Sequence, residues 1–259
     1  MFEQLLHHPL ILGIVVFAVL SASTWIGVTV LTKLKEEVAE LRDDVRIVEG
    51  ATLTLLALII GFSFSMAVSR YDQRKNLEEA EANAIGTEYV RAELLPAEDS
   101  AKVKALLVKY LDLRVEFYAC RDDLRPGLDT DTAKMQDQLW ASVRGPASAR
   151  TDPVMALVVS GMNDVINSQS YTQAAWLNRI PVAAWVMMVA IAVGSSLLVG
   201  VGAQTAKSFS RVLLILPLVL SVALYLIADI DAPRKGMICV TPQNLDLLSA
   251  QLHAPPAKP

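Results

Sequence analysis

The sequence predicts an all-α membrane protein with four transmembrane helices and a helical soluble bundle inserted between helices 2 and 3. The chain of 259 residues is 53% hydrophobic, which is more apolar than an ordinary soluble domain. Four apolar blocks are each long enough to cross about 30 Å of hydrocarbon, which takes about 20 helical residues. None of the four blocks has Asp, Glu, Lys or Arg in its interior. Together these observations indicate four membrane crossings.

The predicted transmembrane helices are Pro9–Leu31, Ala51–Ser69, Ile180–Gly202 and Val212–Ala228. The first is too long for the apolar region of a signal peptide and no Lys or Arg precedes it, so it is interpreted as a permanent helix. With four crossings, both termini lie on the same side of the membrane as the soluble stretch. Lys and Arg near the membrane ends are equally numerous on the two sides, so the positive-inside rule does not orient the chain.

The predicted domains are residues 1–69 (helices 1 and 2), 70–179 (the soluble bundle), 180–230 (helices 3 and 4) and 231–259 (a C-terminal tail). Within 1–69, the loop 32–50 has apolar residues in a heptad spacing, at Leu34, Val38, Leu41, Val45 and Val48. This spacing predicts a short amphipathic connecting helix that lies on the membrane surface or packs on its neighbours. A coiled-coil seam is the alternative, although two heptads are short for one.

The soluble stretch 70–179 is predicted to be helical almost throughout and continuous with helices 2 and 3. Asp99 or Ser100 is expected to cap a helix that runs to about Cys120. Gly145-Pro146 predicts a break, and Asp152-Pro153 predicts a cap followed by a first helical turn. The helix after Ser100 has one apolar stripe at spacings of three and four. That stripe consists of Val103, Leu106, Tyr110, Leu113 and Phe117.

Composition and motifs argue against several classes of function. The net charge of −4 argues against a nucleic-acid partner. Cys120 and Cys239 lack CxxC or metal-ligand spacing, so unpaired thiols are expected, with a disulfide left open. The three histidines lie near the termini, and no phosphate-binding loop, GxSxG or HExxH motif is present. We therefore expect no enzyme activity, no cofactor and no metal site.

Helix 2 has a stripe of hydroxyl and apolar side chains that ends at an arginine. Steps of three or four residues place the members of this stripe near one line of a helix. They are Thr54, Leu58, Phe62, Ser65 and Ser69, followed by Arg70. Around a symmetry axis, Phe62 would form a narrow apolar collar of the kind that gates by dewetting. The alternative is that the small serines pack against neighbouring helices.

Two pairs of acidic residues near the membrane ends are candidate functional groups. Glu78 and Glu81 follow helix 2 and could form a charged ring at a pore mouth, or pair with nearby Arg and Lys on the same helix. Asp229 and Asp231 flank the end of helix 4, where carboxylates oppose the helix dipole and need compensation. We expect a structural ion pair there, with Arg70, Arg74 or Arg234 as the cation. A divalent-cation site is the alternative.

The stretch GFSFSMAVSRYDQR resembles the second transmembrane segment of bestrophins, which has a Gly-Phe pair and a downstream Arg-aromatic pair at the same spacing as residues 61–62 and 70–71. With EEAEANAIGTEYVRAELLP and DIDAPRKGMICV, the chain resembles the bacterial bestrophin-like membrane proteins from Thr52 onward. The resemblance implies a pentamer with a central pore lined by helix 2 and a cytosolic helical region. By position, Thr54, Leu58 and Phe62 match the hydrophobic neck, and Arg70 matches the arginine that closes the helix.

The sequence also departs from bestrophins. Tyr71-Asp72 replaces the Trp-Trp that follows the arginine, and the acidic cluster of the calcium clasp is absent. These departures argue against conduction, and against calcium gating in particular. The prediction is a homo-oligomeric ion channel of the bacterial inner membrane, with lipid, further copies of itself and inorganic ions as its partners. Arg70 favours anions, Glu78 and Glu81 favour cations, and the resemblance weakly favours anions. The alternative is a membrane-anchored scaffold or sensor whose soluble bundle binds a partner without conduction.

Overall fold

The structure is a computed structural model, and it describes residues 8–29, 42–119, 125–150, 152–203, 211–234 and 236–254. These residues form eight α-helices and two short 3-10 helices, and no strand occurs among them. The α-helices are α1 Pro9–Thr29, α2 Arg42–Arg91, α3 Ala97–Tyr118, α4 Leu128–Ala149, α5 Pro153–Leu177, α6 Val182–Gly202, α7 Ile215–Asp231 and α8 Gln243–His253. The 3-10 helices are Ala92–Leu94 and Arg211–Leu214. The predicted all-α fold class is confirmed.

Four helical stretches of the described chain are long and apolar enough to cross a membrane. They contain α1, the apolar part of α2, α6 and α7. At 1.5 Å per residue the 50 residues of α2 extend about 75 Å, more than twice the hydrocarbon thickness. Only its apolar part, Ala51–Ser69, can therefore lie in the membrane. In the predicted connecting segment, Val45 and Val48 belong to α2, while Leu34, Val38 and Leu41 lie outside the described residues.

The chain divides into two compact units. The first unit comprises Met1–Ser69 and Arg179–Ile238, and the second comprises Arg70–Asn178 and Cys239–Pro259. Both units are therefore built from two separate pieces of the chain. The second unit includes α8, which lies within residues 231–259, the predicted C-terminal tail.

In the first unit, α1 packs on α6 and α7. Gly27 of α1 meets Gly200 of α6 so closely that a Cβ on Gly27 would lie 3.0 Å from the Cα of Gly200. Ser23 donates a hydrogen bond of 3.3 Å from its Oγ to the carbonyl oxygen of Val193. Small residues and interhelical hydrogen bonds of this kind hold membrane helices together where the hydrophobic effect cannot.

The core of the second unit is formed around α3, which packs on α4 and α8. The predicted stripe of α3 is confirmed, with Val103, Tyr110 and Phe117 buried, and Leu106 and Leu113 packed partly buried against the same core. The helix begins at Ala97 with Pro96 as its N-cap, so the predicted cap at Asp99 or Ser100 is wrong. Both of those residues lie in its first turns.

The predicted break at Gly145-Pro146 is wrong, because α4 continues through Pro146 to Ala149. A proline this close to the helix end removes only one hydrogen bond and leaves the backbone path intact. The predicted cap of α5 is confirmed: the Oδ1 of Asp152 accepts a hydrogen bond of 2.8 Å from the amide of Met155, and the helix begins at Pro153.

Cys239 is disulfide-bonded, so the expectation of an unpaired thiol is wrong for this residue. The only other cysteine of the sequence, Cys120, lies outside the described residues. The two positions are 119 residues apart, and a separation of that size carries no information about proximity in the fold.

Candidate functional site

The predicted stripe of α2 lies on an exposed face of the first unit. Phe62 is 65% exposed and Leu58 is 55% exposed. Thr54, Ser65 and Ser69 are exposed as well. Five side chains at steps of three and four therefore form one continuous surface along the apolar part of the helix.

The opposite face of the same helix segment is buried. Leu56, Ser63 and Ala67 are at most 8% exposed, and they repeat at steps of seven and four. Even so, only 11% of the apolar 18-residue segment of α2 is buried, against 28–44% in the other three spans. Of the four spans, α2 is the one with the most surface left for contacts outside the protomer.

Two details define the character of the exposed face. Next to Phe62, nothing lies within 4 Å of the position that a Cβ on Gly61 would take, so the helix surface at Gly61 is open. The Thr54 hydroxyl donates a hydrogen bond of 2.8 Å to the carbonyl of Gly50 in its own helix. This bond leaves the Thr54 methyl group available to the surface.

Arg70 does not belong to the exposed face. It follows Ser69 by one residue, a turn of about 100° around the helix, and its side chain is half-buried. Arg70 also interacts with another group of the protein, so it is not free. The structure therefore does not bring Arg70 together with the other five predicted side chains.

Within the second unit, α2 presents acidic and amide side chains to its exterior. Asp72, Asn76, Glu79 and Asn83 are exposed and follow one another at steps of four, three and four, which places them near one line. The exposed Lys75 flanks this line. The two carboxylates outnumber the single ammonium, so the local charge of this line is negative.

Glu78 is buried and caps the first turn of α8. Its Oε1 accepts hydrogen bonds from the backbone amides of Asn244 at 2.8 Å and Leu245 at 2.9 Å. Its Oε2 accepts from the Asn244 side chain at 2.7 Å. The N-cap residue of α8, Pro242, provides no side-chain cap of its own. A carboxylate at a helix N-terminus satisfies free amides and is favoured by the helix dipole.

Glu81 lies at the centre of a buried polar cluster. Its side chain is 0% exposed and forms an ion pair with Arg114, which is 1% exposed. The Oε2 of Glu81 also accepts hydrogen bonds from the Tyr118 hydroxyl at 3.1 Å and the Thr172 hydroxyl at 3.3 Å. The guanidinium of Arg114 lies over the Phe117 ring, 4.2 Å from its centroid. The charged partner of Glu81 is thus Arg114 on α3, and not one of the Arg or Lys residues of α2 that the sequence suggests.

Burial and charge also perturb the groups around Glu81. Burial, with the Glu81 carboxylate beside it, raises the pKa of the Tyr118 phenol. Burial lowers the pKa of Arg114, but the charge and hydrogen bond of Glu81, together with Tyr110 and Tyr118, outweigh burial, so the pKa is raised. Arg114 therefore stays charged at every accessible pH, and Tyr118 stays a hydrogen-bond donor.

Asp229 and Asp231, both buried, bind backbone amides of the first unit. Asp229 accepts from the amides of Met237 at 2.8 Å and Ile238 at 2.9 Å. Asp231 accepts from the amide of Ile180 at 3.0 Å. Carboxylates that oppose the dipole of α7 are thus compensated by amide donors, which tie the end of α7 to the next segment and to the start of α6.

The prediction for Asp229 and Asp231 also included an arginine partner and, as the alternative, a divalent-cation site. Arg179, beside Ile180, interacts electrostatically with Asp231. Arg234 lies half-buried in the turn after α7. Within the described residues, no group of three or more His, Cys, Asp or Glu side chains could hold a metal ion.

Comparison with known protein families identifies the family of the chain. A bestrophin-like domain matches residues 14–245. The chain belongs to the bestrophin-like family. Membership supports an ion channel as the function at the level of the family, and a membrane protein that forms oligomers. No curated protein matches this bestrophin-like protein in sequence.

Solved structures agree with the fold of this bestrophin-like protein. A variant of a bacterial bestrophin homologue from Klebsiella pneumoniae matches with a TM-score of 0.67 at 13% identity, over 93% of this chain and 95% of that one. A second structure of that homologue has a TM-score of 0.65 at 13% identity, over 92% of this chain and 96% of that one. At this identity the likeness shows the fold alone.

Two features of the buried carboxylates were not predicted from sequence. Arg114 lies 33 residues from Glu81, and Asn244 lies 166 residues from Glu78. Asp229 and Asp231 accept hydrogen bonds from backbone amides, which nearly every residue has, so the sequence does not indicate which residues donate them. For Glu81 the helical repeat was the available hint, because it places this residue roughly opposite the exposed line of Asp72, Asn76, Glu79 and Asn83.

Proposed function

We propose that this protein is an oligomeric ion channel whose path is lined by the exposed face of α2, with its constriction at Phe62. The observation that carries the proposal is the combination of exposure and chemistry on that face. A membrane-spanning segment that is mostly unburied in the protomer bears hydroxyls and one phenylalanine in a single line. Serine hydroxyls facing lipid lose hydrogen bonds to water, whereas hydroxyls facing a wet path keep them.

Two observations favour opposite ion selectivities of the path, one for anions and one for cations. The resemblance to bestrophins favours anions. Asp72 and Glu79 on the exposed line of the second unit favour cations, because fixed charges near a path raise the local concentration of counter-ions. Arg70 is half-buried and away from the line, so its contribution to anion selectivity is weakened. The sign of the permeant ion is therefore the quantity to measure.

The deciding experiment is ion flux through purified protein in liposomes, with chloride and sodium gradients imposed separately. Phe62→Ala widens the proposed constriction and is expected to raise the flux several-fold. Phe64→Ala is the matched control, because Phe64 is a 42% exposed phenylalanine of the same helix that lies off the line. Its flux should equal that of the wild type.

Equal flux from both variants, with oligomers of unchanged size, would contradict a constriction at Phe62. No flux from wild type or Phe62→Ala would contradict conduction altogether. Native mass spectrometry of the same samples would test the pentamer that the resemblance implies. Labelling of single cysteines introduced at exposed positions of the second unit would test the proposed cytoplasmic side and the inner-membrane topology.

A groove in the second unit favours the second candidate function, a membrane-anchored scaffold. The groove has a volume of about 740 Å³ and lies between α4 and α5. Its lining includes the apolar side chains Trp140, Met155 and Val159 and the charged side chains Arg150 and Asp152. Trp140 is 40% exposed there. A folded oligomer without flux would direct attention to this groove.

A further inference from the structure

Glu88, on α2 in the second unit, is a buried carboxyl group without donors. Its side chain is fully buried. Neither of its carboxylate oxygens has a hydrogen-bond partner in the part of the chain that the structure describes. Glu78 and Glu81, buried on the same helix, have amide, hydroxyl and guanidinium donors around both oxygens. An ionised carboxylate without donors is costly away from water, so this environment favours the neutral acid.

The space that Glu88 occupies exists because residue 161 of α5 is glycine. A Cβ on Gly161 would overlap Oε2 of Glu88 and would lie 2.5 Å from Nη1 of Arg91. The carboxyl group therefore fills the place of a side chain on α5. At this point the contact between α2 and α5 is made through the carboxyl group itself.

The charged groups that face Glu88 are Arg91 on its own helix and Asp164 on α5. Burial raises the pKa of Glu88 from 4.5 to about 8, Arg91 opposes the shift, and Asp164 adds to it. Arg91 is half-buried and Asp164 is exposed. The geometry and the charges thus agree that the carboxyl is neutral in the packed arrangement.

We propose that Glu88 is a proton-binding site that controls the contact between α2 and α5. With its proton, the carboxyl packs against Gly161 and the two helices stay together. When the proton leaves for water, the remaining carboxylate turns toward Arg91 and solvent, and the contact at Gly161 loosens. The site would make the second unit respond to a rise of pH above neutral. This inference goes beyond the proposed channel function and does not require that the protein conducts.

The effect on stability has a definite sign. Because the pKa of Glu88 is higher in the folded than in the unfolded state, the folded protein holds a proton that the unfolded chain has lost. Stability from this group is fully present below pH 4.5, falls between 4.5 and about 8, and stays low above that. Glu88→Gln keeps the shape of the neutral acid and cannot ionise.

The test compares melting temperatures of wild type and Glu88→Gln in detergent across that pH range. The melting temperature of Glu88→Gln minus that of the wild type is expected to rise from pH 4.5 to about 8 and then level off. Glu79→Gln is the control, since it makes the same change at an exposed position of the same helix. A difference that stays flat for Glu88→Gln, or rises equally for Glu79→Gln, would overturn the proposal.

A second measurement does not depend on a variant that folds. Infrared spectra of wild-type protein with carbon-13 in its glutamate carboxyl groups report protonated acids directly. A protonated glutamate band is expected at neutral pH, with half its intensity lost near pH 8. Absence of the band at neutral pH would overturn the proposal whether or not the protein conducts. Loss of amide-exchange protection around Gly161 over the same pH range would support the loosening of α5.

Discussion

The buried ion pair between Glu81 and Arg114 allows a quantitative test of the second unit. Glu81→Gln keeps the shape of the side chain but removes its charge, which leaves Arg114 buried without a counter-charge. Removing one partner of a buried pair costs about 3–5 kcal/mol. For a chain of this size that corresponds to a fall in melting temperature of about 6–20 °C. We expect the upper half of this range, because Tyr118 and Thr172 also donate to the same carboxylate.

The assay is thermal unfolding of the purified protein in detergent, followed by circular dichroism and by recovery of the oligomer on size exclusion. Glu116→Gln on α3 is the matched control. Its carboxylate pairs with Arg125 at 3.3 Å, and its side chain is 39% exposed. Because water screens an exposed pair of this kind, losing it should change the melting temperature little. The double variant Glu81→Leu/Arg114→Met should recover most of the loss, because it removes both charges. A Glu81→Gln midpoint equal to that of Glu116→Gln would refute the reasoning.

Two further predictions concern the first unit. Asp231→Asn weakens the acceptor of the Ile180 amide and should lower the unfolding free energy by about 1 kcal/mol, measured as a lower melting temperature in detergent; an unchanged midpoint would contradict the role of this contact. Gly200→Val places a side chain against the Thr24 carbonyl of α1 and should abolish recovery of folded protein on size exclusion. Gly194→Val on the same helix, where nothing lies within 4 Å of the Cβ position, should fold normally, and equal behaviour of the two variants would contradict the close crossing.

Periodicity predicted the parts of this fold that depend on local chemistry. Apolar runs without charges gave the four spans, because hydrocarbon excludes ionised side chains over a fixed thickness. The line that contains Phe62 on α2 followed from the helical repeat. Its exposure did not, because the repeat left packing against neighbouring helices as the alternative. The cap at Asp152 was predictable because an N-cap acts on amides only two or three residues away.

Contacts between distant parts of the chain were not predictable in this way. The partners of Glu81 lie on α3 and α5, and spacing along α2 cannot reveal which cation they bring. Asp231 binds a backbone amide, and every residue except proline has one. The helix α8 was missed because its 11 residues are too few for a strong pattern, and it depends on Glu78 for its N-terminal cap. The pore-mouth role of Glu78 and Glu81 stays a prediction, now for two carboxylates that lie inside the second unit.

The cap that Glu78 provides for α8 has a consequence for the order in which the protein is made. Chains leave the ribosome N-terminus first, so Glu78 emerges 166 residues before Asn244, the partner that binds it. During that interval the whole of Arg179–Ile238 is synthesised, which completes the first unit. Until α8 arrives, the Glu78 carboxylate must remain hydrated and the site for α8 must remain open. The membrane-inserted unit can therefore finish folding during translation, whereas the other unit closes only after α8, Gln243–His253, has been synthesised.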